Sequence, residues 1–305
     1  MDEDDIVCMF RQKLGCSKPP DDIERVMMCK TAVAAKIDTL VFETDVPQGM
    51  TIHEAARKAV VACVSDFAAK GIRPKWGLVS VTMPANTPMA DFENMAAGMA
   101  DAASEFGFKI VGGDTNRGSG ASLSVCLLGV DTGTVGRGGS APGDCIMVSG
   151  PFGLAAAGLH IMLHHTGNFP EAVKSVRNPA ARLEFGLLCA PYFTSSMDSS
   201  DGLASTLYQM AQQSGVRMRL TDSPAAAGLY DFATQTGTDY DDLIYRGGEE
   251  YEIVFTASPS NLPLIRRISA QTDTPAVCIG VVESGRGVYV ADTDCPLRRG
   301  GWKAF

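Results

Sequence analysis

The chain is predicted to be an α+β protein of two domains. Strand-like and helix-like runs mix along it without the strict alternation of a doubly wound sheet. A glycine- and proline-rich loop, GRGGSAPGD (136–144), separates the first half from a fresh strand, CIMVSG. At 305 residues and 45% hydrophobic content, the chain is long enough and apolar enough for two cores. The boundary is placed near residue 140, giving domains 1–140 and 141–305.

The elements follow in order. Residues 51–70, TIHEAARKAVVACVSDFAAK, read as a helix. Thr51 and Glu54 have capping-box spacing, and Gly71 with Pro74 ends the run. WGLVSVTMP (76–84) reads as a strand, 88–106 as a helix, and 108–111 and 122–130 as strands. In the second half, CIMVSG is a strand and GLAAAGLHIML a helix. A helix at 179–190, the loop SSMDSSDG (195–202) and a helix at 202–213 come next. Late strands are expected at 251–256 and 276–281.

Composition narrows the function. Net charge is −9 with no basic block, which argues against nucleic acid as a partner. No apolar run approaches the ~18 residues of a membrane span, and the acidic start MDEDD is unlike a signal peptide, so a cytoplasmic protein is expected. Nine cysteines, odd in number, without a CxxC pair and mostly among apolar neighbours, read as reduced, buried thiols. The four histidines have no zinc-ligand spacing, and His164-His165 is read as a helix end.

VGGDTNRGSG (111–120) puts Asp114 directly after two glycines and an apolar run. Alone, that is turn chemistry. The same style recurs at Asp21-Asp22, at Asp38 in KIDTLV, at Asp66 in CVSDFAAKG, and at Asp198 and Asp201 in MDSSDG. A carboxylate inside an apolar helix such as VVACVSDFAA needs compensation. Independent caps and turns would satisfy each one separately. A divalent metal satisfies all of them together, and oxygen-only ligands suit Mg²⁺. Mg²⁺ beside glycine-rich loops points to a nucleotide polyphosphate. The amides of SGPFG (149–153), ahead of a helix, are a further candidate phosphate holder. GGEEYE (247–252) is either a turn into a strand or a ligand loop.

The set DD (21–22), IDTLV (37–41), SDFAAKGIRP (65–74), GGDT (112–115), GRGGSAPGD, SSDGL (199–203) and GGEEYE resembles thiamine-monophosphate kinases, a branch of the aminoimidazole ribonucleotide synthetase superfamily. The resemblance runs from about residue 20 to the C-terminus. It implies that superfamily's two-domain α+β fold, with an N-terminal sheet domain that forms a homodimer and ATP in a cleft near the dimer interface. It implies Mg-dependent phosphoryl transfer from ATP to thiamine monophosphate. Carried over by motif, Asp21, Asp38, Asp66, Asp114, Asp198 and Asp201 would hold Mg²⁺, with Asp38, Asp114 and Asp201 at the chemistry. Gly113, Asp114, Arg137 and Ser200 would contact ATP, and Asp45, Glu249 and Trp302 the thiamine phosphate. The chain departs from the family at Pro20-Asp21-Asp22 for Gly-Asp-Asp, Lys36-Ile37-Asp38 for Ser-Thr-Asp, and Asp45-Val46 for His-Phe.

The alternatives are another kinase or synthetase of the superfamily with a different small phosphate as acceptor, or a non-catalytic ATP-binding dimer. Selenophosphate synthetase is disfavoured because Cys29-Lys30 is not a Cys-Gly-Cys-Lys loop. The hydrogenase maturation relative is disfavoured because the chain ends GWKAF without a cysteine.

Overall fold

A computed structural model of the chain describes residues 3–16, 20–131, 133, 135–291 and 294–301. Helix α1 (Glu3–Lys13) precedes the hairpin of β1 (Glu24–Met28) and β2 (Thr31–Val41). The single turn α2 (Phe42–Asp45) leads into α3 (Ile52–Ala69), β3 (Pro74–Met83), α4 (Met89–Phe106), β4 (Lys109–Arg117) and β5 (Ser122–Val130). These five strands form one sheet in the order β1-β2-β5-β3-β4. Only β3 and β4 run parallel, with α4 as their crossover.

The second half holds β6 (Cys145–Val148), α5 (Leu154–His164), α6 (Pro170–Arg177), α7 (Leu183–Cys189) and β7 (Ser195–Ser199). It continues with α8 (Leu203–Ser214), β8 (Arg217–Leu220), α9 (Leu229–Thr236), α10 (Tyr240–Tyr245) and β9 (Glu252–Ala257). It closes with α11 (Leu262–Gln271), β10 (Val277–Glu283), β11 (Gly287–Val290) and β12 (Cys295–Pro296). Its seven strands are ordered β12-β11-β8-β10-β6-β9-β7. The architecture is α+β, as its mixed order of elements requires.

Helix α3 positions the site. Its start is the capping box read from sequence: Thr51 Oγ1 accepts from the Glu54 amide, and Glu54 Oε2 accepts from the Thr51 amide at 2.8 Å. Most of its residues are buried, because it packs on β2 and β5 of one sheet and on β7, β9 and α7 of the other half. The approach of α7 is so close that a Cβ on Gly186 would meet the Ala68 carbonyl at 1.9 Å. Ser196 Oγ donates to Ala69 O at 2.5 Å, tying β7 to the helix end.

Two expectations change. GGD is not a turn, because Gly112, Gly113 and Asp114 lie in β4. SSMDS is not loop but the buried edge strand β7. The expected buried thiols also fail as a rule: only Cys63 and Cys189 are buried, while Cys8, Cys16, Cys29, Cys278 and Cys295 are exposed. No helix among the described residues is long and apolar enough to cross a membrane.

Candidate active site

The chemistry-bearing residues gather where α3 lies between β2 and β7. Asp22, Asp66 and Asp198 are all buried and bring one carboxylate oxygen each to within 4.8 Å of one another. Asp66 comes from the middle of α3, Asp198 from β7, and Asp22 from the segment just before β1. Such crowding of like charge is held by cations on all but one member. Lys70 is fully buried and places Nζ 2.7 Å from Asp21 Oδ1 and 2.9 Å from Asp22 Oδ2. It also donates to the Ser196 carbonyl at 2.7 Å. Arg137 donates to Asp22 Oδ1 at 2.6 Å and to Gln209 Oε1 at 2.7 Å. Lys36 Nζ lies 3.0 Å from Asp66 Oδ1 and 3.3 Å from Asp38 Oδ1. Asp198 forms no ion pair among the described residues and accepts a side-chain hydrogen bond from Ser65 Oγ at 3.0 Å.

The electrostatics follow that distribution. Burial acts to raise the pKa of Asp22, but Lys70 and Arg137 outweigh it and hold the carboxyl below the usual range. Burial pushes Asp66 well up, with Lys36 opposing and Asp198 and Asp38 adding. Burial, then the charge of Asp22, pushes Asp198 up to about 7. Two of three carboxyls are therefore short of positive charge. Their donor set, oxygen atoms without imidazole or thiolate, fits a hard divalent cation.

The other residues singled out from sequence fall into distinct places. Asp38 borders the cluster through Lys36, whereas Asp21 is tied up by Lys70. Its neighbour Asp22, rather than Asp21, shares the three-carboxylate group. Asp114 is elsewhere. Its cross-strand row is Thr39–Ser124–Ser80–Asp114, on the opposite face of the sheet from Asp38. Three strand spacings, roughly 14 Å, separate β4 from β2. Nor is Gly113 an open cradle, since a Cβ there would meet the Val79 carbonyl of β3 at 2.2 Å. A cavity of about 330 Å³ lies beside it, lined by Val79, Val81, Phe92, Met95 and Met99 and bordered by Asp114 and Thr115.

Ser200 and Glu249 meet through backbone, the Glu249 amide donating to Ser200 O at 2.7 Å. Tyr251 N likewise donates to Ser199 O, so the SDG loop and GGEEYE are one unit beside Asp201. Glu249 and Tyr251 both take left-handed backbone, at φ 65° and 54°, which costs non-glycine residues about 1 kcal/mol or more each. Lys58, buried in α3, pairs with Glu249 and donates to the Asp45 carbonyl at 2.8 Å. The Asp45 carboxylate closes its own turn, accepting from the Val41 amide at 2.7 Å. Trp302 lies outside the described residues.

Three of the SGPFG amides are already engaged within the fold: Ser149 N donates to Ile253 O, Phe152 N to Pro224 O, and Gly153 N to Glu250. Glu250 Oε1 accepts from the Gly153 and Ala155 amides at 2.7 and 3.1 Å, capping α5 from across the chain. Glu250 is half-buried as a residue, but its carboxyl is enclosed, and burial pushes its pKa up to about 8 against those two donors. A pKa raised in the folded state means that the unfolded chain sheds its proton first, so stability falls as pH rises from about 4.5 to 8. Glu250→Gln keeps the acceptor and removes the titration. Its melting temperature is expected to gain on wild type across that window, and parallel curves would contradict the assignment.

Sequence reasoning missed Lys58 and Lys70 and left Lys36 without a role. The signal was present: lysines in the apolar helix of Asp66, with Lys70 one turn on at i+4.

The fold is of the AIR synthase-related class. The family model described as "AIR synthase related protein, N-terminal domain" matches residues 21–131. The thiamine-monophosphate kinase of Nitrosopumilus maritimus is 44% identical over all of this chain and 99% of that one. That of Pyrococcus horikoshii is 31% identical over 96% of this chain and 92% of its own. Among solved structures, AaThiL complexed with AMPPCP and TMP superposes with a TM-score of 0.89 at 27% identity, covering 100% of this chain and 97% of that one. The chain belongs to the thiamine-monophosphate kinase family.

Proposed function

We propose that the chain transfers the γ-phosphoryl group of ATP to thiamine monophosphate, giving thiamine diphosphate and ADP. The observation that carries this is the buried group Asp22, Asp66 and Asp198, short of positive charge, in a chain of this family. The acceptor is a phosphate monoester whose second pKa is about 6, so its attacking oxygen is already ionised at neutral pH. No general base is required. His164 ends α5 with its ring centroid 4.7 Å from that of His160 and tilted 52° to it, and His165 caps the helix. What the reaction needs is alignment of two anions and relief of their repulsion.

Asp22, Asp66 and Asp198 are the residues that would hold Mg²⁺, with Asp38 at the border. When bound, Mg²⁺ supplies charge neutralisation between the γ-phosphoryl group and the incoming phosphate. Arg137 fixes Asp22 and keeps a permanent positive charge at the cluster edge. Lys58 pairs with Glu249, which in this reading contacts the acceptor. The division of labour falls near residue 140, between the last strand of the first sheet and the first of the second.

The partner copy completes the site in this reading. The outer face of the first sheet carries an apolar row, Ile37–Cys126–Leu78, exposed at Ile37 and Leu78 and half-buried at Cys126, with Trp76 and Val111 exposed nearby. Such a face on a single chain favours self-association. Asp114 shares that face, so it reaches a nucleotide from the second subunit rather than its own cluster. Mixing and reassociating inactive Asp114→Asn and Asp198→Asn chains is expected to restore about a quarter of wild-type activity, the statistical share of intact sites in a C₂ dimer. No restoration would place Asp114 in cis.

The test of function is ADP release from MgATP with and without thiamine monophosphate, with the product followed by chromatography. Release that depends on the acceptor, with matching thiamine diphosphate, is expected. ATP binding without product would favour a binding protein instead.

A further inference from the structure

We infer that the Lys36 ammonium occupies a cation position in the carboxylate site, so that this chain holds one divalent ion at the cluster where the acidic groups would otherwise call for a second. The inference rests on the reading of Asp22, Asp66 and Asp198 as a divalent-cation site. Its geometry is particular. Lys36 projects from β2 on the same face as Asp38, two residues on, and its Nζ bridges Asp38 Oδ1 at 3.3 Å and Asp66 Oδ1 at 3.0 Å. Bridging two carboxylates from two elements is what a metal ion does at such sites, but at hydrogen-bond range instead of the ~2.1 Å of Mg–O bonds. An ammonium in that place offers no further coordination position and cannot dissociate.

The charge count points the same way. Three carboxylates converge, those of Asp22, Asp66 and Asp198, and Asp21 and Asp38 join them through shared cations; the five stand against Lys36, Lys70 and Arg137. With all five ionised, as ligands to a metal would be, two negative charges remain, the complement of one divalent ion. Lys70 and Arg137 are both spent on the Asp21–Asp22 side, and Lys36 on the Asp38–Asp66 side. Asp198, accepting only from Ser65 among the described side chains, is the member left without a cation beside it. Removing the Lys36 charge would leave three negative charges and a bridging position between Asp38 and Asp66 open to a second ion.

The experiment counts bound Mn²⁺ per chain by equilibrium dialysis and electron paramagnetic resonance, on the full-length protein without nucleotide. Wild type is expected to bind one ion. Lys36→Thr and Lys36→Met are expected to bind two, with the exchange-coupled spectrum of a close pair. Should either variant be unfolded as isolated, Mn²⁺ is expected to restore its melting transition. Two ions in wild type would overturn the inference, as would one ion in both wild type and a folded variant. The latter leaves the metal reading of the aspartates standing, whereas no ion in wild type removes that reading as well.

Discussion

Asp198→Asn is expected to lower acceptor-dependent ADP release at least about a thousandfold, a loss of roughly 4 kcal/mol of transition-state stabilisation, without unfolding the chain. Asparagine keeps the shape and an oxygen that still accepts from Ser65. What it removes is the one charge of the buried trio that has no cationic partner among the described residues. That charge is expensive in the folded chain, since burial and Asp22 push the Asp198 carboxyl up to about 7. Its neutral replacement therefore leaves the metal-free protein at least as stable as wild type. Only a function that needs negative charge at this point explains retaining it. Initial rates at saturating MgATP, set beside thermal unfolding by circular dichroism, separate the two effects. A rate within tenfold of wild type would remove Asp198 from the chemistry.

Lys70→Met is expected to have the opposite signature, a loss of stability first. Lys70 is wholly buried and its three ammonium protons are matched by Asp21, Asp22 and the Ser196 carbonyl. Methionine fills the same channel but leaves the fully buried Asp22 carboxylate with Arg137 alone. Breaking a buried pair by deleting one partner costs about 3–5 kcal/mol, and the remaining Arg137 contact places this case near the lower end. The shift is to be read from urea unfolding midpoints at unchanged slope. A loss below about 1 kcal/mol would mean that Lys70 contributes little beyond packing. Because the same ammonium anchors β7 through Ser196, Asp198 shifts with it, and activity should fall alongside stability.

Much of the frame was legible in the sequence. The capping box at Thr51 and Glu54 fixed the start of α3, and β5 was read at its observed limits, because both rest on local chemistry or strict alternation. Of the strands that were missed or cut short, two have plain physical reasons: β4, read only to residue 111, and β7. In β4, Gly112 and Gly113 imitate a turn, yet Gly113 is there because Val79 of the neighbouring strand lies too close for any side chain. In β7, serines replace the apolar residues expected of a buried strand. They are affordable because Ser195 Oγ bonds Thr256 and Ser140, and Ser196 Oγ bonds Ala69.

The sequence by itself determined the family, the α+β class and the set of aspartates from which the site is drawn, since motif order and composition are properties of the chain alone. Tertiary structure decided which carboxylates meet. Asp22 rather than Asp21 joins Asp66 and Asp198, because Lys70 and Arg137 pull it inward from residues 48 and 115 positions away. Asp114 is carried to the opposite face by the pleat of β4, where one residue of register reverses a side chain. Lys36 acquired a role only when β2 was laid against α3. Such facts depend on distances between residues remote in sequence, which no local pattern encodes.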